Sequence, residues 1–329
     1  MTKQITDTIM MIRPVAFRKN EETAENNYYQ QSIEVLDKSE IQLNAEAEFD
    51  GFVNKLRDKG IKVIVFEDKK NPSTPDSIFP NNWVTFDENG MIMLFPIFAE
   101  NRRGERREDI ISYFRDNYDV SSVDDLIRWE GQNKFLESTG SMILDRQNKI
   151  LYAAISDRTH PEVIDEYCQK TGYRAMTFSA NQTVGTERLA IYHTNVMMCL
   201  GERFAVICLD TIDDISERER VIESLENTGK EIIEIDEIQN NSFAGNMLQV
   251  VNSKGERFIA MSDSAYWSLS PDQVERLEKH GEIIHSALDT IETCGGGSAR
   301  CMMAEVFLPE KVSSAESNRT DDIAPAIEE

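Results

Sequence analysis

Apolar residues along this chain gather in short runs, interrupted by polar breaks and by amphipathic stretches with helical spacing. Ile9-Met10-Met11-Ile12, cut by Pro14, predicts a strand. Residues 44–59 carry Ala45, Phe49, Phe52, Val53 and Leu56 at helical spacing and stop at Gly60, which suits the position just past a helix. Ile61 to Phe66 alternates as a strand does. The Pro-bearing stretch 72–80 begins as a loop and runs into a strand at Trp83-Val84-Thr85-Phe86, with Pro80 tolerable only at its edge or start. Met91 to Pro96 follows the turn Asn89-Gly90, and a helix passes through Ile110, Ile111 and Phe114. Further strands are expected at 150–155 and around 175–178, with a helix at 161–170 between them. Leu189 to Leu200 reads as one apolar strand with a polar His193-Thr194-Asn195 step, and Phe204 to Cys208 as the next. An acidic helix at 215–228 ends at Gly229 before Ile232 to Ile235. Phe243 to Val251 and Phe258 to Met261 read as a hairpin, and Ser270 caps a helix that starts at Pro271. Two strands, a helix and another strand thus recur about every 50–60 residues, the mark of a repeated α/β unit with a shared central site.

Composition narrows the class. With 329 residues, 40% of them hydrophobic and 29% charged, the chain can bury a substantial core as one large domain or two ordinary ones. A formal charge of −24 argues against nucleic acid and against an anionic membrane surface. No secretory signal stands out in 1–11 and no run is long enough to span a bilayer, so a cytoplasmic protein is expected. The five cysteines, at 168, 199, 208, 294 and 301, are odd in number and read as reduced thiols; their spacing suits no zinc site, and no metal is expected. Residues 1–312 read as a single domain, and 313–329 as a polar, acidic, disordered tail.

The densest chemistry lies at Thr293-Cys294-Gly295-Gly296-Gly297-Ser298-Ala299-Arg300-Cys301. Three glycines let backbone approach closely, and a thiol beside a guanidinium is one that can ionise. Cys301 could equally be a small buried hydrophobe. Asn81 and Asn82 are amides that either close a turn on their own backbone or meet a ligand. Glu137 stands between apolar residues and the turn Ser138-Thr139-Gly140. His193 would by itself more often be a satisfied core residue. Among Arg102, Arg103, Arg106 and Arg107, most suit a solvated helix face, with one or two free to clamp a carboxylate.

Six pieces in the same order resemble the guanidine-modifying superfamily of arginine deiminases, dimethylarginine hydrolases and amidinotransferases. They are Asp76-Ser77-Ile78-Phe79-Pro80-Asn81-Asn82, Arg102-Arg103-Gly104-Glu105, Leu136-Glu137 with Gly140, Ser156-Asp157-Arg158-Thr159, His193, and the glycine-led Cys301. Phe79-Pro80-Asn81-Asn82-Trp83 and the Arg-rich 101–107 stretch look most like the citrulline-utilisation hydrolases. The resemblance implies a pentein fold, a five-bladed α/β propeller of pseudo-fivefold ββαβ repeats with its site on the central axis, and no cofactor. It implies Cys301 as nucleophile, His193 as general acid and base, and Glu137 as the carboxylate that holds the head group. Arg158 and one of Arg102 or Arg103 would bind a carboxylate, and Asp76 an α-ammonium. The departures are Asn82, where the family usually has an aspartate, and Asn195, where deiminases carry an acid. Amides donate to a neutral ureido oxygen that a carboxylate would repel, which favours citrulline as substrate. Hydrolysis of arginine or a modified arginine, amidino transfer to an amine, and a non-catalytic pentein remain as alternatives. Cys294 precedes the glycines and is the weaker nucleophile. The expected partner is a small amino acid; a homo-oligomer is left open.

Overall fold

A computed structural model describes residues 2–311; the tail expected at 313–329 lies outside the described residues. Its first strand, β1 (Thr8–Arg13), leads through a long irregular segment, residues 14–37, to helix α1 (Lys38–Asp58) and then β2 (Lys62–Glu67), which pairs with β1 in parallel. Helix α1 starts six residues earlier than the apolar spacing suggests, because Asp37 caps it and Glu40 returns the bond in a capping box. Phe49, Phe52 and Leu56 on its inner face are fully buried, each worth about 1.5–3 kcal/mol of apolar burial.

Four further units follow the same plan, each a strand, an antiparallel strand, a helical connection and a parallel strand. The second unit has β3 (Val84–Phe86), β4 (Met91–Leu94), α2 (Glu108–Asn117) and β5 (Ser122–Asp125). A helical turn, α3 (Ser138–Ser141), leads into the third: β6 (Ile143–Asp145), β7 (Ile150–Ala154), α4 (Pro161–Thr171) and β8 (Arg174–Phe178). An added hairpin, β9 (Asn181–Val184) and β10 (Glu187–Ala190), precedes the turn α5 (Thr194–Met197). The fourth unit is β11 (Met198–Leu200), β12 (Phe204–Ile207), α6 (Ile215–Asn227) and β13 (Glu231–Glu234). After α7 (Glu237–Asn241), the fifth has β14 (Leu248–Val251), β15 (Arg257–Ser262), α8 (Asp263–Ser268), α9 (Pro271–Glu278) and β16 (Glu282–Ser286). Helix α10 (Asp289–Gly295) and β17 (Ala304–Glu305) end the described fold, and β17 pairs antiparallel with β1, completing the first sheet.

The fold is therefore mixed α/β, with five three-stranded sheets of one pattern. Four apolar clusters join neighbours: units one and two, two and three, three to five, and five back to one. Strands such as β4 are apolar on both faces because a helix covers one and the next unit the other. Two sequence expectations fail locally. Leu189 to Leu200 is not one strand: β10 stops at Ala190, and the chain turns through α5 before β11. The polar step makes the break, since Thr194 Oγ1 donates to Ser141 O at 2.6 Å and accepts from Ala154 N at 2.9 Å. Likewise Phe243 lies at φ 61° in a turn, and its strand starts only at Leu248.

Candidate active site

The turns that enter the first strand of each unit converge. Asn82 lies just before β3, Glu137 before α3 and β6, Asn195 before β11, Asn246 before β14, and Cys301 before β17. Cys301 sits on a tight turn, its N–H donating to Ser298 O at 3.0 Å. Gly296 ends α10 at φ +62°, and a Cβ there would meet Asn27 Nδ2 at 2.5 Å and Gln30 Cγ at 2.6 Å. The glycines thus let the 14–37 segment lie directly on the turn that carries Cys301.

The Cys301 sulfur accepts from two amides, Asn195 Nδ2 and Asn246 Nδ2, both at 3.3 Å. Arg300, expected beside the thiol as its counter-ion, turns elsewhere: it donates to Met303 O and to Glu305, each at 2.8 Å. Its guanidinium is thus committed to other partners and makes no hydrogen bond to the sulfur. Burial pushes the thiol above its ordinary range, against the Ser298 backbone, the two amides and, last, the Arg300 charge.

His193 Nε2 meets Glu137 Oε2 at 2.7 Å, both side chains out of water. The turn Ser138–Ser141 pins Glu137: its N–H donates to Ser141 Oγ at 3.0 Å, and that hydroxyl donates to Arg158 O at 2.8 Å. Phe98 N–H holds Oε1 at 2.9 Å. Burial pushes the Glu137 carboxyl up, but Arg158, His193 and Arg102 outweigh it and leave it at about 2. Burial lowers His193 to about 4 in spite of Glu137. At neutral pH the pair is a carboxylate and a neutral imidazole whose Nε2–H donates, leaving Nδ1 as the basic nitrogen.

A Cβ on Gly140 would stand 2.4 Å from Asn82 Nδ2 and 2.9 Å from His193 Nδ1, so those side chains meet over a bare glycine. Asn82 Oδ1 accepts from Arg102 Nη1 at 3.0 Å, and its Nδ2 donates to Asn81 Oδ1 at 3.0 Å, which fixes which end is the donor. Arg102 spends the rest of its fork on Glu105, at 2.8 and 2.9 Å, and on the carbonyls of Asp76 and Phe79. Arg103 points away, to the carbonyls of Ile97 and Phe98 and towards Glu130 at 3.4 Å. Of the two, Arg102 joins the cluster, as a brace for Asn82 and not as a free clamp.

Asp76 Oδ2 accepts from Asn20 at 2.8 Å and Thr23 at 3.0 Å, while its buried Oδ1 has no partner. Burial raises its carboxyl, against the pull of Arg102. Arg158 holds Asn26 Oδ1 and Thr23 O, with Nη1 3.6 Å from Glu137 and its guanidinium 4.9 Å from the Tyr192 ring. Cys301, His193, Glu137, Asp76, Asn82, Arg102, Arg158 and Asn195 are each at most 3% exposed. Reading from the sequence passed over Asn20, Thr23, Asn26 and Asn246. The first three lie in a segment with no periodicity; Asn246 is hidden inside an apolar run, and its one signal is its place just before the fifth unit's first strand. Among the described residues no group of three or more His, Cys, Asp or Glu side chains is placed to hold a metal ion, and no helix is long and apolar enough to cross a membrane.

The fold has counterparts in solved enzymes. The N-terminal domain of ArgZ, a cyanobacterial arginine dihydrolase bound to substrate, superposes with a TM-score of 0.68 at 18% identity, over 92% of this chain and 98% of that one. AgrE with L-arginine gives 0.69 at 16% identity, over 93% of this chain, and a dimethylarginine dimethylaminohydrolase adduct with S-methyl-L-thiocitrulline gives 0.60 at 14%, over 93% of this chain and all of that one. The chain spans about two fifths of the length of full ArgZ and AgrE, 41% in each case. No curated protein matches it. These neighbours share the fold. The family model decides the class: the chain belongs to the eukaryotic N,N-dimethylarginine dimethylhydrolase family, whose model matches residues 13–308, and with that family to the pentein superfamily of guanidine-modifying enzymes.

Proposed function

We propose that the chain is a Cys301-dependent hydrolase of citrulline, and that its five sheets are the blades of a propeller with Cys301, His193 and Glu137 on the axis. Support for the ring is the closed circuit of apolar clusters and the delivery of one site residue by each unit. The observation that carries the substrate reading is Asn82. Arg102 occupies its carbonyl, so the end beside His193 is an N–H donor, suited to a neutral ureido oxygen.

In this reading Cys301 passes its proton to His193 Nδ1 as the sulfur attacks the ureido carbon, and the imidazolium hands that proton to the δ-nitrogen, which leaves as the amine of ornithine. Water, deprotonated by His193, then attacks the thiocarbamoyl carbon, and the departing sulfur takes the proton back. The carbamic acid released breaks down to carbon dioxide and ammonia, so one citrulline and one water give ornithine, carbon dioxide and ammonia. Glu137 holds the developing positive charge, Arg158 takes the α-carboxylate, and the unpartnered Asp76 Oδ1 takes the α-ammonium. Asn195 would offer its unpartnered Oδ1 to a substrate N–H.

A second reading, arginine dihydrolysis at the same thiol, is favoured by the arginine dihydrolase bound to substrate and by AgrE with L-arginine. Purified protein given citrulline, arginine and dimethylarginine, with ornithine, citrulline and ammonia quantified and Cys301→Ala as control, separates the two. Ornithine from citrulline alone supports the first reading. Faster turnover of arginine to ornithine and two ammonia replaces it with the second, and citrulline accumulating from either arginine overturns both.

A further inference from the structure

The mechanism above leaves one buried side chain on the reacting atom unused. Asn246 is fully buried, and every polar atom of its amide has a partner. Oδ1 accepts from Arg300 N at 2.9 Å, and the two Nδ2 protons go to Asn195 O at 2.7 Å and Cys301 Sγ at 3.3 Å. Because the Arg300 N–H and the Asn195 carbonyl flank it, the amide can sit only with its nitrogen towards the sulfur. Gly245 makes the placement possible. A Cβ there would stand 2.4 Å from Val196 O and 2.7 Å from Met197 C, so only a bare backbone lets the 243–246 turn lie on α5 beside Asn195.

We propose that Asn246 is a catalytic residue: with Asn195 it forms a two-amide cradle whose N–H groups stabilise the Cys301 thiolate in place of a cation. The proposal rests on the reading of Cys301 as nucleophile and adds a residue that eases its ionisation. A buried thiol ionises only if donors meet the charge. Here the nearest guanidinium in sequence is committed to Glu305, and the donors are neutral. Of the other titratable groups, Tyr192 feels the sulfur, its phenol held un-ionised by burial and its hydroxyl donating to Gly296 O; the His193–Glu137 pair, with Arg158 3.6 Å from Glu137, enters on the neighbouring turns. Neither the sheet nor the covering segment brings a further cation to the sulfur among the described contacts.

The test is the pH dependence of Cys301 alkylation by iodoacetamide, in which the thiolate displaces iodide as the S–C bond forms. Peptide mass spectrometry identifies the labelled residue, with Cys301→Ala as control. Asn246→Ala removes the donor without adding charge. Asn246→Asp keeps the shape and the bond from Arg300 N, and turns an anion towards the sulfur, so it serves even where the smaller side chain loosens the turn. Losing a hydrogen bond to a charged group is expected to raise the alkylation midpoint by about one pH unit in Asn246→Ala and more in Asn246→Asp, with labelling about tenfold slower below the midpoint. Profiles that superimpose on the native protein's, with only the melting temperature lowered, overturn the proposal and leave Asn246 structural. A shifted profile in a protein inactive on the whole substrate panel keeps the cradle and overturns the substrate reading, so the two stand or fall separately.

Discussion

Glu137 and His193 fix the charge state from which the reaction starts. With the imidazole at about 4 and the thiol above its ordinary range, the free enzyme at neutral pH holds a neutral His193 and a protonated Cys301. Because His193 holds the proton that leaves the thiol, the reacting thiolate–imidazolium pair carries the same protons as the resting pair. We expect kcat/KM to stay level from about pH 5 towards the thiol's pKa and to fall above it, with no limb near the usual histidine value of about 6.5. A bell centred on that value, measured with native protein across pH 5 to 10, would contradict this assignment. Gly140 makes a second prediction. Its substitution by alanine drives a Cβ into Asn82 and His193, and displacing catalytic groups by a fraction of an ångström is expected to lower kcat/KM on the order of a hundredfold. The melting temperature should fall far less, because Asn82 and His193 can shift into the space substrate would occupy. At this scale motif order singled out Cys301, His193 and Glu137; the structure buries all three, pairs His193 with Glu137 and sets the Cys301 sulfur on two amides. Arg300 was misread because adjacency along a turn says nothing of where the side chain goes, and Asn246 was passed over because an apolar run hides the turn that carries it.

Individual elements were legible where burial is one-sided. The inner face of α1 is read correctly from Phe49 to Leu56 because one stripe faces the core. Its start is missed, since Lys38 to Gln42 is held by the Asp37–Glu40 box and not by apolar spacing. Asp37→Ala should therefore lower the urea midpoint of unfolding and leave kcat unchanged, the cap being exposed and remote from the cluster. Strands next to the site were the hardest to place. Leu189 to Leu200 and Phe243 to Val251 look continuous because the turns that break them are buried and flanked by apolar residues. Those turns are where the site residues sit. The 14–37 segment, opaque to periodicity, owes its position to polar contacts: Asn20 and Thr23 on Asp76, Asn26 on Arg158, Asn27 and Gln30 on the glycine carbonyls.

The whole molecule repeats one ββαβ plan, and the recurrence was visible in the sequence as spacing although no sequence repeat can be read. Its net charge of −24 was visible too. That charge repels itself in the folded state, so raising the salt from about 10 to 150 mM, where the Debye length shortens from about 30 to 8 Å, should raise the melting temperature. A flat response in calorimetry would mean that the surface ion pairs, weakened by the same salt, offset the repulsion. The pairing of β1 with β17 carries a consequence of another kind. Thr6 and Val306, bonded across the first sheet, are 300 positions apart. At about 5–20 residues per second on the ribosome, β1 waits roughly 15–60 s for its last partner. Cys301 emerges in the same closing moments, three residues ahead of β17. A message broken anywhere upstream yields a chain with an open strand edge and no Cys301, which on the proposed mechanism cannot react and is prone to clearance. The protein thus acquires its reactivity and its integrity together, and a single thiol titration on a translation reaction would report both.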